Sequence, residues 1–316
     1  MARRFAEWYG GILVGLILEC VFFASVSESF RTFSNAINVW NQVTYVAIIA
    51  VGMTFVIIAA GIDLSVGSLV AASGVVAAKV LTIHGVPWQM LVPLAVLSGM
   101  LLGTASGALA GLMITRFRVT PFIATLAMMS SLRGLAFIFC SGLPIGNLPE
   151  VFGFLGRQRV LEFVPVRVIV MAIILISGIV VLRKTRFGRY VYAIGGNEEA
   201  ARLSGIATMR VKWLVYVMSG TLAALAGVIL ASSLGAGVPQ AGEMWELDVI
   251  AAVVVGGTSL MGGVGTIEGT FIGAMIIQVL ENGLNHLGVS SHWQRVALGA
   301  VILGAVLLDQ MKKRRA

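Results

Sequence analysis

The chain has 316 residues, of which 58% are hydrophobic and only 11% are charged. A soluble domain carries about 25% charged residues, so this composition excludes a water-soluble globule and indicates a bilayer protein. The net charge of +8 does not indicate a nucleic-acid partner, because the basic residues stand at the ends of apolar runs. The length accommodates about ten spans of roughly 20 residues and little else, which predicts a single transmembrane domain over residues 1–316.

Ten apolar runs follow one another along the chain, separated by polar residues. In order, they are 10–26, 43–60, 65–81, 88–115, 121–140, 166–182, 211–234, 247–260, 267–287 and 293–308. The first is expected to be an uncleaved span, because Glu19 before Cys20 does not suit a signal-peptidase site. The short run 247–260 is typical of a half-helix or a re-entrant segment. The sequence therefore predicts an all-α polytopic membrane protein with about ten transmembrane helices, some of them broken or re-entrant.

The basic residues predict the orientation of these spans. With ten spans, four basic clusters fall on one side of the membrane. They are Arg3–Arg4, Arg116–Arg118, the loop 183–212 and Lys312–Arg315. Cytoplasmic loops carry the excess of Lys and Arg, so we expect cytoplasmic N- and C-termini and a cytoplasmic loop 183–212. Three arginines, Arg157, Arg159 and Arg167, are exceptions that would face outward.

An isolated acid stands between the second and third runs. Asp63 belongs to the string G-I-D-L-S-V-G-S at residues 61–68, and it is the only acid between Glu28 and Glu150. An acid near the membrane is costly, so it caps a helix, pairs with another group or lines a pathway. Asp63 and Ser65 are placed to cap a helix that starts near Leu64, and a role in substrate passage is the alternative.

The loop 183–212 contains a second string, of the form E-A-A-x-x-x-G. It comprises Glu199, Ala200, Ala201 and Gly205. The pattern predicts a short cytoplasmic helix that is capped by Asn197 and stopped by Gly205. Alanines on one face would form a flat surface for docking into a groove of a partner, and an ordinary amphipathic loop helix is the alternative.

Other polar residues are candidates for a substrate path. Asn41 opens the second run, and Gln278 and Asn282 share a helical face in the ninth run with Glu281 and Asn285. Such a stripe suits a sugar, which needs hydrogen-bonding groups without fixed charge; hydrogen bonds between helices are the alternative. The glycines of the string 248–266 allow a break or tight turn at membrane depth, or close packing.

Cofactor and metal sites are not indicated. Cys20 and Cys140 lie in apolar stretches without C-x-x-C spacing, and the three histidines are scattered along the chain. No G-x-x-x-x-G-K-[ST] phosphate loop occurs, so we expect no bound ATP, no other cofactor and no catalytic residue. The cytoplasmic string speaks against a channel, and the lack of a catalytic constellation speaks against a membrane enzyme.

Three strings in this order, 61–68, 199–205 and 248–266, resemble the permease subunits of bacterial ATP-binding-cassette (ABC) importers, in the ribose-type sugar branch. The likeness extends from about Asn38 to Asp309. It implies that the string 199–205 grips a cytoplasmic ATPase, and that the chain carries a monosaccharide across the inner membrane.

The resemblance also implies partners. They are two ATPase subunits, a periplasmic sugar-binding protein and a second permease chain, identical or homologous. An autoinducer-type furanose and a branched-chain amino acid are alternative substrates. The sequence does not name the sugar.

Overall fold

The computed structural model describes residues 2–160 and 164–315, without the side chains of 2–9, 305, 306 and 308–315. The described residues form twelve α-helices. They are α1 (Ala2–Val26), α2 (Phe33–Ile58), α3 (Val66–Leu81), α4 (Trp88–Thr115), α5 (Pro121–Phe139), α6 (Val166–Lys184), α7 (Arg186–Gly196), α8 (Glu198–Leu203), α9 (Thr208–Leu234), α10 (Trp245–Val255), α11 (Ile267–His286) and α12 (Ser291–Arg315). A 3-10 helix (Glu150–Phe154) and two strands, β1 (Arg159–Val160) and β2 (Val164–Pro165), lie between α5 and α6. The strands pair antiparallel, with Val160 opposite Val164.

The helical fold of a polytopic membrane protein is confirmed. Five helices, α2, α4, α5, α6 and α9, are long and apolar enough to cross a membrane. Shorter apolar helical stretches cover Gly10–Val26 and Val66–Leu81. The count of ten crossings and the side of the termini stay predictions. The side chains of Arg3, Arg4 and Lys312–Arg315, on which the orientation was predicted, lie outside the described residues.

The run 247–260 folds as a half-helix, as its length predicted. Helix α10 has 11 residues and is therefore about 16 Å long, roughly half of a bilayer core. A turn with Gly257, Gly262 and Gly263 at positive φ follows it and leads into α11. The loop 183–212 contains two short helices, α7 and α8, where the sequence predicted one.

Helix α2 is the centre of the bundle. In its apolar stretch 89% of the residues are buried, against 22% in α6, although both are strongly apolar. Helix α9 packs on α2, α3 and α4, and its contact with α4 depends on glycine: a Cβ on Gly103 or on Gly107 would overlap backbone carbonyls of α9. Small residues let helix backbones approach closely in a membrane, which explains the glycines at this contact.

Candidate coupling and translocation sites

Helix α8 forms where its sequence predicts a helix. The Asn197 Oδ1 atom accepts a hydrogen bond from the amide of Ala200 at 2.9 Å, which caps the helix. At the other end, the amide of Ile206 donates to the Ala201 carbonyl and the amide of Gly205 donates to the Arg202 carbonyl, at 3.1 and 3.0 Å. This pair of bonds is the Schellman motif, and it needs the left-handed backbone that Gly205 adopts at a φ of 83°. The predicted cap and stop are therefore confirmed.

The two alanines of α8 face different surroundings. Ala201 is only 4% exposed and packs into the main core, so it belongs to the internal side of the helix. Ala200 is exposed, and so is Leu203, with 78% of its surface accessible. The open apolar group on this helix is therefore Leu203, which the sequence reasoning missed. The sequence feature that could have pointed to Leu203 is its position, two residues after the inward-facing Ala201.

The acidic residues at the start of α8 pair with a basic residue of α8 and one of α9. Glu199 accepts a hydrogen bond from Arg202 at 2.6 Å, and Glu198 forms an ion pair with Lys212 of α9 at 3.0 Å. The hydrogen bond to Glu199 raises the pKa of the Arg202 guanidinium. The Glu199–Arg202 pair is open to water, so it orients the side chains more than it stabilises the fold.

Helix α7 connects this surface to the spanning helices. Gly195 is packed so closely that a Cβ there would overlap the Ile58 carbonyl at the end of α2 and the Gly263 amide. That amide donates to the Ile58 carbonyl at 2.9 Å. We call the contact of Gly195, Gly262 and Gly263 the glycine junction. In this junction the backbone groups of the turn after α10 make their contacts within the protein. This matches the alternative of close packing for the glycines of the string 248–266.

Further contacts support the glycine junction. The Tyr192 hydroxyl donates to the Gly265 carbonyl at 2.6 Å, and Arg183 forms an ion pair with Glu268 at 3.0 Å. The rings of Phe187 and Phe55 lie 6.0 Å apart, so α7 also packs on the last turn of α2. One sequence feature points to this arrangement, the Gly-Gly pair that precedes Asn197.

Asp63 lies in the connection between α2 and α3 and is 1% exposed. Its Oδ1 accepts from the Ser65 amide at 3.0 Å and the Ser65 hydroxyl at 2.6 Å, and its Oδ2 accepts from the Ser219 hydroxyl at 2.7 Å. The expected capping differs in detail, because α3 begins at Val66 and Ser65 makes no side-chain cap bond. Asp63 instead links the connection between α2 and α3 to α9, through the hydrogen bond from Ser219.

Asn41 belongs to a polar cluster of α2, α6 and α9. Arg167 donates from Nε to Asn41 Oδ1 at 3.0 Å, and from one terminal nitrogen to the Tyr45 hydroxyl at 2.6 Å and to Ser233 Oγ at 3.1 Å. These bonds satisfy an arginine that stood apart from the charge pattern of the sequence. Asn41 therefore orients a cation, which the sequence did not reveal because its partners are far apart in the chain.

Gln278 and Asn282 have separate partners despite their shared helical face. Asn282 is buried and exchanges two amide hydrogen bonds with Asn35 of α2, at 2.9 and 3.0 Å. His286 also contacts Asn35, at 2.9 Å. Gln278 is buried beside Glu281, to which it donates at 3.3 Å. For Asn282 the geometry matches the alternative of a hydrogen bond between helices.

In the part of the chain that the structure describes, no group of three or more His, Cys, Asp or Glu side chains is placed to hold a metal ion. Helix α8 is joined through α7 and the glycine junction to the end of α2, the central helix of the bundle.

Comparison with known proteins identifies the family. Residues 35–306 match the family model described as the permease component of the branched-chain amino acid transport system. The chain is also 46% identical to the ribose import permease protein RbsC of Escherichia coli K12, over 95% of this chain and 93% of the relative. The chain belongs to this family of ABC importer permeases.

Other relatives of the permease are also named for sugars. RbsC of Bacillus subtilis 168 is 47% identical over 96% of the permease and 92% of the relative. The xylose transport system permease protein XylH of Escherichia coli K12 is 35% identical, with the same coverage of each chain. No solved structure matches the permease. Members of the family are transport subunits, which fits a non-catalytic chain and implies ATPase and substrate-binding protein partners.

Proposed function

We propose that this chain is the membrane-spanning permease subunit of an ABC importer that carries a monosaccharide, of ribose type or closely related, across the bacterial cytoplasmic membrane. The observation that supports the sugar is the identity of 46% and 47%, over nearly the whole chain, to two proteins named ribose import permeases. The family description names branched-chain amino acids, so a branched-chain amino acid is the second candidate.

The proposed partners follow from the division of labour in such importers. Two cytoplasmic ATPase subunits bind α8 through Leu203 and the neighbouring residues Asn197, Glu199, Ala200 and Gly205, with Ala201 supporting the helix from within. The permease binds no cofactor, and ATP hydrolysis belongs to the ATPase subunits. A second permease chain completes the path, and a periplasmic binding protein delivers the sugar.

Uptake tests the substrate directly. The permease, with its ATPase and binding protein, is produced in cells that lack their own ribose uptake, and entry of radiolabelled D-ribose, D-xylose and L-leucine is compared. We expect entry of a pentose that disappears when ATP hydrolysis by the partner is blocked. Entry of leucine without either sugar would replace the proposed function by the second candidate.

We further propose ten crossings with both termini in the cytoplasm, on the same side as α7 and α8. The permease with Cys20 and Cys140 replaced by serine receives one cysteine, at position 2 or position 316. In intact cells neither cysteine should react with a membrane-impermeant thiol reagent until the membrane is opened. Ready labelling at either position in intact cells would show that the orientation is wrong.

A further inference from the structure

A cavity of about 250 Å³ lies between α10, α11 and α12. Its charged lining consists of Glu243, Asp248, Glu281 and Arg295, and Gln294 adds an amide. Leu280, Leu284 and Leu298 form apolar walls, and Trp245 closes one side. None of these residues belongs to α7, to α8 or to the glycine junction.

The cavity lies between helices of the bundle rather than in a loop. Trp245, the first residue of α10, stacks on Tyr45 of α2 with ring centres 5.9 Å apart. Asp248 belongs to the first turn of α10, and Glu281 lies five residues before the end of α11.

Charged groups on helices of the bundle avoid lipid. Placing an acid or an arginine in hydrocarbon is costly, so such residues line a water-filled cavity or pair with each other. Among the residues whose side chains the structure describes, no ion pair joins Arg295 to Asp248 or Glu281. All three side chains line the open space between the three helices.

The lining selects a class of ligand. Three carboxylates and one guanidinium leave an excess of negative charge, which disfavours an anion. Carboxylates accept hydrogen bonds from hydroxyl groups, while Arg295 donates to hydroxyl oxygens. The Gln294 amide is already bonded to Asn285 Oδ1 and to the Val289 carbonyl, both at 2.8 Å. The leucines and Trp245 suit the apolar C–H faces of a small ring. A volume of about 250 Å³ is below the range of roughly 300–1,000 Å³ for drug-sized ligands, so the occupant is small.

We infer that this cavity is a binding site for a neutral monosaccharide on its way through the permease. Asp248 and Glu281 accept hydrogen bonds from sugar hydroxyls, and Arg295 donates to them. The inference rests on the proposed function, because a sugar must pass through the permease before this site can hold it.

Substrate protection tests the site. In the assembled transporter with Cys20 and Cys140 replaced by serine, single cysteines at the lining positions Leu284 and Leu298 are treated with a water-soluble thiol reagent. The control is Leu101→Cys, since Leu101 is 66% exposed in the middle of α4, where lipid is expected. Cysteines at 284 and 298 should react faster than the one at 101, and D-ribose delivered by the binding protein should slow them severalfold.

A second measurement uses conservative neutral variants. In Asp248→Asn and Glu281→Gln, uptake of D-ribose should fall roughly tenfold or more, because bonds to charged acceptors are weakened. The amount of assembled transporter should not change. The control Glu150→Gln removes an acid outside the cavity and should keep normal uptake.

Two results would overturn the inference while wild-type ribose uptake persists. One is reaction at positions 284 and 298 that is no faster than at 101. The other is reaction that D-ribose does not slow, together with normal uptake by both neutral variants. If the wild-type transporter carries no sugar at all, the proposed function itself fails, and the two failures are thereby distinguished.

Discussion

Helices α7 and α8 are neighbours in the loop 183–212, yet they differ in how the sequence encodes them. Helix α8 has a cap, a stop and the E-A-A string, and most of its residues are exposed. Helix α7 has no such string, but its Gly195 touches the Ile58 carbonyl and the turn after α10. Local signals thus mark the exposed helix, for which we propose a partner. The helix that contacts the membrane bundle is specified by packing.

The difference suggests a division of roles along the segment. We propose that the exposed Leu203 of α8 contacts the ATPase and that α7 transmits the resulting displacement to the glycine junction. From there Ile58 leads within five residues to Asp63, which is fastened to α9. The following predictions, from the largest expected effect on stability to the smallest, test whether the buried side and the exposed side are separate in this way.

Replacing Asp63 by leucine should have the largest effect. The change leaves the Ser65 amide, the Ser65 hydroxyl and the Ser219 hydroxyl without an acceptor in a buried place, at a cost of about 3 kcal/mol or more. Asp63→Asn should be mild, because its carbonyl still serves Ser65 and the Ser219 hydroxyl can accept from its amide. Thermal unfolding of the purified permease measures the difference. Equal stability of the two variants would contradict the structural role of Asp63 as a hydrogen-bond acceptor. Loss of uptake by a stable Asp63→Asn variant would show that the charge of Asp63 is needed for substrate passage.

Gly195→Ala tests the buried side of the segment. Its methyl group would overlap the Ile58 carbonyl and the Gly263 amide, so α7 must move away at a cost of about 2 kcal/mol. We expect sugar uptake to be lost while the assembled transporter still hydrolyses ATP, because the moved helix no longer acts on α2.

The matched control is Gly196→Ala, whose methyl group has no atom within 4 Å. It should keep both activities. Normal uptake in Gly195→Ala, or equal loss in the two alanine variants, would show that close packing at the glycine junction does not transmit movement.

Leu203→Asp tests the exposed side and should change stability by less than about 0.5 kcal/mol, because Leu203 is 78% exposed. The charged group should instead weaken binding of the ATPase, which co-purification of the permease with its ATPase measures. Leu143→Asp is the control, since Leu143 is 72% exposed in the segment between α5 and α6. If Leu203→Asp co-purifies normally with the ATPase, this face of α8 is not the docking surface.

The sequence by itself determined the apolar segments and the local signals. The run predicted at 88–115 is the helix Trp88–Thr115, and Asn197 and Gly205 bound α8 as expected. These features depend on residues close together in the chain: hydropathy over 20 residues, a capping amide, and a glycine that tolerates positive φ. The same local patterns carried the resemblance to the permease family.

Only the tertiary structure decided which polar and apolar groups meet. Helices α2 and α6 are both strongly apolar, but one is central and the other is mostly exposed. Hydropathy cannot separate them, because lipid tails and packed side chains are equally apolar. Likewise, Asn282 pairs with Asn35 and Asp63 with Ser219, partners that are 247 and 156 residues distant in the chain. The direction in which each helix faces its neighbours fixes such pairs, and that direction is set by the packing of the whole bundle.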